Sequence, residues 1–216
     1  MRRLCFLGDS HAAHHLSQAA AEKGFDLVSI EQAELIFVSQ DTPTDEYGRR
    51  DLTQILALVH QARLAMAPIV LTSAVQPGFT RARGFPLWHQ AETLRIKDAE
   101  ERARNPEMMI VGCDKGNEPL PDAYREYLEA FICPIIRVTW EEAEFAKIAI
   151  NCFLTAQVEC TNELAKAAAK VGADWKNIAN ILRHDKRIGP YAYLEPGRWQ
   201  DSRHLLRDMR TLAEIA

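Results

Sequence analysis

Residues 140–171 contain neither proline nor glycine and read WEEAEFAKIAINCFLTAQVECTNELAKAAAKV. The run favours one unbroken helix, because alanine and straight-chain residues dominate it and no backbone breaker interrupts it. Glu141 and Glu142 lie where the helix dipole favours negative charge, and Gly172 is suited to the left-handed position that ends a helix. Asp174 is placed to cap a second helix from Trp175 to Leu182, after which the chain leaves through RHDKRIGPYAYLEPG. A helix of about 30 residues spans ~45 Å, more than the core of a small domain needs. Phe145, Ile148, Cys152 and Leu164 stand on or near one stripe of it. The expectation is that residues 141–171 bury a face against a second copy of the chain. Lys147 and Asn151, four residues apart, point the same way, with Thr155 one turn further.

Upstream, strands and helices alternate. RLCFLG, FDLVSI, AELIFVSQ, PIVLTSAV, MMIVGC and PIIRVT read as strands; SHAAHHLSQAAAEK, DLTQILALVHQARLAMA and DAYREYLEAF read as helices. The alternation argues for an α/β fold with a mostly parallel sheet, and the opening strand–turn–helix–strand is that of a dinucleotide-binding unit. The turn of such a unit reads G-x-G-x-x-G or ends in alanine; here it is Gly8-Asp9-Ser10-His11-Ala12-Ala13. Ser10 puts a Cβ where the backbone would approach a diphosphate, and Asp9 adds negative charge beside it. Glu31 is a loose match for the acidic residue that grips a ribose.

The helical region, AEFAKIAINCFLTAQVECTNELAKAAAKVGAD followed by RIGPYAYLEPG, resembles the central region of the nucleotide-sugar dehydrogenases, the UDP-glucose and GDP-mannose 6-dehydrogenase family. The resemblance implies an abbreviated Rossmann-like sheet over residues 1–139, then a dimerising long helix and a small helical region over 140–216. It implies catalytic roles for Lys147 and Asn151 in oxidising a sugar alcohol with NAD, and substrate contacts from Arg187, Gly189 and Tyr193. Thr42-Pro43-Thr44 and the Ser73 loop resemble the family's cofactor-binding turns, so Gly8, Ser10, Thr42 and Ser73 are the cofactor-binding candidates. Glu92 in GFPLWHQAETLR is the candidate for the family's catalytic glutamate. A stretch of the family's sheet is missing between Ile30 and Ala33, and Ala74 replaces a threonine.

At the end of the chain the resemblance implies loss. The family carries a glycine-rich loop with a nucleophilic cysteine followed by Lys-Asp. Here Pro196 to Asp208 reads PGRWQDSRHLLRD, with His204 in the cysteine's place, Arg207 for lysine and Asp208 retained. A neutral imidazole cannot carry the thioester of the second oxidation. The chain ends at Ala216, before the family's C-terminal sugar-nucleotide domain. The expectation is a degenerate or repurposed member that binds a nucleotide, a sugar nucleotide or a partner, with NAD binding weak or lost. One alternative is an oxidoreductase performing a single hydride transfer. Another is an esterase or acyltransferase of the SGNH type, for which FLGDSHAAH would offer Ser10 as nucleophile and Asp201-Ser202-Arg203-His204 the Asp and His partners.

A net charge of −4 gives no reason to expect nucleic acid as partner. Five cysteines without a C-x-x-C pair read as reduced thiols in a cytoplasmic protein, and neither a leader nor a membrane span is expected. His11, His14 and His15 have spacing that suits a metal but read as a solvated helix face, so no metal is expected.

Overall fold

The computed structural model describes residues 2–216 and divides the chain into two compact units. The first comprises the residues up to Pro43 together with Arg50–Lys147, and the second Thr44–Arg49 with Ile148–Ala216.

The first unit is built on a seven-stranded sheet of order β2-β1-β3-β4-β5-β6-β7. Its strands are β1 Arg3–Leu7, β2 Asp26–Leu27, β3 Leu35–Val38, β4 Ile69–Leu71, β5 Trp88–Ala91, β6 Met109–Cys113 and β7 Ile135–Thr139. All neighbours are parallel except β5 and β6, which pair antiparallel. Helices α1 His11–Glu22, α2 Thr53–Leu64, α3 Ala99–Arg104 and α4 Asp122–Glu129 cover it. Successive strand residues serve opposite faces. Leu4, Leu35, Phe37 and Val70 pack with α1 and α4, while Cys5, Ile36, Val38, Ile69 and Leu71 pack with α2. A strand covered on both sides must be apolar throughout, which is why these segments are continuous runs with no alternation.

One expected strand differs: FDLVSI yields only the two residues of β2, and only the short 3-10 turn Ile30–Gln32 lies between β2 and β3. The register explains how the short connection suffices. Leu4 of β1 pairs with Leu27 on one side and Leu35 on the other, so β2 ends where β3 begins. The connector therefore crosses two strand spacings, about 10 Å, without running back along the sheet. Strand β5 was hidden by its polar composition, since His89 and Gln90 are both buried in it.

The second unit contains the greater part of α5, Trp140–Lys170, with α6 Trp175–His184 and α7 Arg203–Ile215. Gly172 ends α5 at φ +74°, and the Asp174 carboxylate accepts from Lys176 N to cap α6. The segment before α7 is strapped along α5. Gln157 accepts from Tyr193 N, Thr161 donates to Tyr193 O, and Asn162 exchanges a pair of hydrogen bonds with Gly197. Residues 203–208, expected as part of a loop, form the start of α7, capped by Ser202 accepting from Leu205 N. The apolar stripe of α5 also divides differently from expectation. Ile148 is buried and Cys152 half-buried, whereas Phe145, Ala149, Phe153, Ala156, Cys160, Leu164, Ala167 and Val171 are exposed at steps of three and four.

Candidate functional site

The sheet changes winding direction at β1, whose neighbours are β2 and β3, and open α/β sheets bind ligands beyond the carboxyl ends of strands at such a point. Here the loops leaving β1, β3 and β4 meet. Gly8 has φ +111°, and a Cβ on it would stand 2.3 Å from Ser39 O, so glycine is required by both conformation and space. Ser10 caps α1: its hydroxyl accepts from Ala13 N at 2.9 Å and donates to Ser39 O at 2.7 Å. Ser73 Oγ accepts from Gln40 N, and Thr42 Oγ1 donates to Ala74 O. The four cofactor-binding candidates thus lie in one hydrogen-bonded crest. The Gln40 side chain, which sequence reasoning passed over, holds Asp9 from two sides, donating to Asp9 Oδ1 at 2.7 Å and accepting from Asp9 N.

This crest does not fit a dinucleotide diphosphate as a glycine-rich loop does. The Ser10 hydroxyl satisfies a helix N-terminal N–H that an incoming phosphate would take, and Asp9 leaves a carboxylate exposed beside it. The same geometry leaves the esterase reading unsupported. Ser10 is 3 % exposed and its hydroxyl is spent on the cap and the Ser39 carbonyl, so it presents no nucleophile.

Glu92 follows β5 directly, and its carboxylate turns back onto the N–H of Leu94. Lys147 is half-buried on α5 and forms no ion pair or hydrogen bond among the described residues. One turn before it, Glu144 is a buried carboxylate that the sequence alone did not single out. It is 1 % exposed and accepts from Gly78 N at 2.6 Å and Thr80 N at 2.8 Å, tying the loop after β4 to the start of α5. Burial raises its pKa against the pull of those N–H groups. The available signal was its place four residues before Ile148, on the buried side of the helix.

In the second unit, Asn151 and Asp208 come together as α5 packs on α7. Asn151 Nδ2 donates to Asp208 Oδ2 at 2.7 Å, and Arg207 Nε donates to Asp208 Oδ1 at 3.0 Å. Arg207 and Asp208 are both essentially buried, at 2 % and 1 % exposure. Arg207 thus places a fixed cation against the carboxylate. His204 is exposed on the first turn of α7. Cys152 is the thiol that neighbours Asn151 in sequence, and burial followed by the Asp208 charge raises its pKa, which disfavours a thiolate. Arg187 pairs with Asp185 at 2.7 Å on an exposed turn, Gly189 takes φ +82°, and Tyr193 is held by its backbone along α5. Asp201 lies in the short turn before α7. No group of three or more metal-ligating side chains is assembled among the described residues, and no helix there is long and apolar enough to cross a membrane.

A switch-point crevice on a mostly parallel sheet, followed by a long helix carrying Lys147 and Asn151, defines a Rossmann-like fold of the oxidoreductase type. Comparison with known proteins agrees. The family model described as UDP-glucose/GDP-mannose dehydrogenase family, central domain, matches residues 141–216. The UDP-glucose 6-dehydrogenase of Pseudomonas aeruginosa is 28% identical over 204 residues, covering 85% of this chain and 45% of that protein. The Bacillus subtilis UDP-glucose 6-dehydrogenase YwqF is 27% identical over 216 residues, covering 92% and 47%. Among solved structures, a UDP-glucose dehydrogenase from the hyperthermophilic archaeon Pyrobaculum islandicum matches with a TM-score of 0.75 and 21% identity, over 99% of this chain and 65% of that one. Over residues 141–216 the chain is thus similar to the central domain of the UDP-glucose/GDP-mannose dehydrogenase family, and over most of its length to stretches of its curated members. It spans about half the length of the curated relatives it matches.

Proposed function

We propose that this chain is a nucleotide-sugar dehydrogenase-like protein that binds a nucleotide or sugar nucleotide and does not complete the family's two-step oxidation to an acid. The reading rests on the resemblance, which puts His204 in the place of the family's thiol, together with Asp208, which pairs with buried Arg207 and accepts a hydrogen bond from Asn151. The second oxidation needs a thiolate to capture the aldehyde, and Cys152 is disfavoured as a thiolate by its burial and, after that, by the Asp208 charge. NAD binding is expected to be weak, since Asp9 and the Ser10 cap oppose a diphosphate. An open cleft of about 910 Å³ in the second unit is flanked by Lys166 and Arg198, which pair with Glu163 and Asp201 and would exchange those partners for a phosphate-bearing ligand.

Assembly is part of the proposal. The exposed stripe from Phe145 to Val171 keeps the three–four spacing of a helix seam over the whole of α5, and a second copy of the same helix is a self-complementary cover for it. The family resemblance points the same way.

The test is direct. Purified protein should give no NADH from UDP-glucose, UDP-N-acetyl sugars or GDP-mannose, and His204→Cys alone should not restore it. Sugar nucleotides should still raise the melting temperature, by ~2.7 kcal/mol of added stability at 100 times the dissociation constant. Steady NADH production that Lys147→Ala abolishes would overturn the reading in favour of a working single-step oxidoreductase.

A further inference from the structure

The first turns of α1 carry His11, His14 and His15, which neither the fold nor the proposed function uses. His11 and His15 are four residues apart on one helix face, and their rings meet edge to face with centroids 4.4 Å apart. Their Nε2 atoms stand 3.1 Å apart and share a hydrogen bond whose donor depends on the tautomer, and a bound metal would replace its proton. Two imidazole nitrogens that share a zinc ion at ~2.0–2.1 Å each are separated by about 2.9–3.4 Å, for bond angles from a right angle to tetrahedral. The observed separation lies inside that window. We propose that His11 and His15 form a two-histidine site for a borderline divalent transition ion such as Zn²⁺, Ni²⁺ or Cu²⁺, with water completing the coordination. This inference goes beyond the proposed function and does not depend on it.

To hold a metal both rings must be neutral and present Nε2 lone pairs, which moves the remaining proton of each ring to Nδ1, an atom that in His15 is buried without a hydrogen-bond partner. Burial, then the charges of His11 and His14, lower the His15 pKa. On α3, Glu100 raises it and Arg104 lowers it further. Glu100 itself pairs with Arg104 at 2.8 Å, so its carboxylate is already engaged. The ring of His14 makes its contact with His15, 5.1 Å between centroids, and is left out of the bite.

The experiment is a metal titration on full-length, tag-free protein, using ZnCl₂ by calorimetry and CuCl₂ by electron paramagnetic resonance. The unaltered chain should bind one Zn²⁺ at micromolar concentration, and Cu²⁺ should show splitting from two imidazole nitrogens. His11→Ala and His15→Ala should each weaken binding by about tenfold or more, a loss at least matching that of outer-shell changes at metal sites. His14→Ala should keep it. Circular dichroism and melting without metal establish that each variant folds. Equal affinity in a His11→Ala/His15→Ala double variant, which retains exposed Cys160, would overturn the proposal, as would no binding by the unaltered protein.

Discussion

Asp208→Ala is the most informative single change, because it asks whether this carboxylate now serves structure. Asp208 accepts from Asn151 at 2.7 Å and from Arg207 at 3.0 Å, and Arg207 is 2 % exposed. Removing the carboxylate leaves a guanidinium buried without that counter-charge, a loss of ~3–5 kcal/mol when one partner of a buried pair is deleted. Asn151 Nδ2 loses its acceptor as well, adding about 1 kcal/mol. The sum of about 4–6 kcal/mol rivals the whole stability of many domains, so the second unit should unfold early. Urea melts followed by circular dichroism and by tryptophan fluorescence would report it, since Trp175 and Trp199 are hydrogen-bonded within that unit. The double variant Arg207→Met/Asp208→Leu should recover most of the loss, because apolar side chains of similar size need no counter-charge. A loss below about 1 kcal/mol for Asp208→Ala would refute the reasoning and return Asp208 to the list of catalytic candidates.

Further changes test other parts of the fold. His89 is buried and its pKa is pushed down to about 4 by desolvation; unfolding restores the ordinary value near 6.5, so stability should fall between pH 6.5 and 4 and then level off. At about 1.4 kcal/mol per unit the loss reaches ~3 kcal/mol. Glu144, raised by burial, runs the opposite way, its share being present at low pH and lost as pH rises, so the difference between the unaltered protein and His89→Leu isolates the histidine. Gly112→Ala should destabilise by ~1–3 kcal/mol in thermal melts, because the new Cβ would stand 2.7 Å from the Ala143 Cβ at the start of α5. Phe153→Glu, on the exposed stripe, should leave circular dichroism unchanged but give a monomer by light scattering, where the proposed assembly predicts a dimer for the unaltered chain.

Much of the architecture is legible without coordinates, for local reasons. Helix α5 follows from the absence of proline and glycine over 140–171, its end from Gly172, and the cap of α6 from Asp174. Strands β1, β3, β4, β6 and β7 follow from apolar runs. Each of these signals lies within a few residues of the structure it specifies. The family resemblance is carried most strongly by one contiguous stretch, the helical region that the family model matches.

Tertiary structure decided the rest, because the decisive partners are far apart in the chain. Asn151 and Asp208 are 57 positions apart, and nothing local to either says that Arg207 turns its guanidinium onto the same carboxylate. Glu144 became a clamp only when the Gly78–Thr80 backbone, more than 60 residues away, arrived to donate to it. The polar strand β5 exists because β4 and β6 pair on either side of it, a condition no period-two pattern in WHQA reveals. Which stripe of α5 faces outward depended in turn on the segment Tyr193–Gly197 claiming the residues Gln157, Thr161 and Asn162. Helical periodicity limits which residues can share a face, but only packing against distant segments selects the face that is covered.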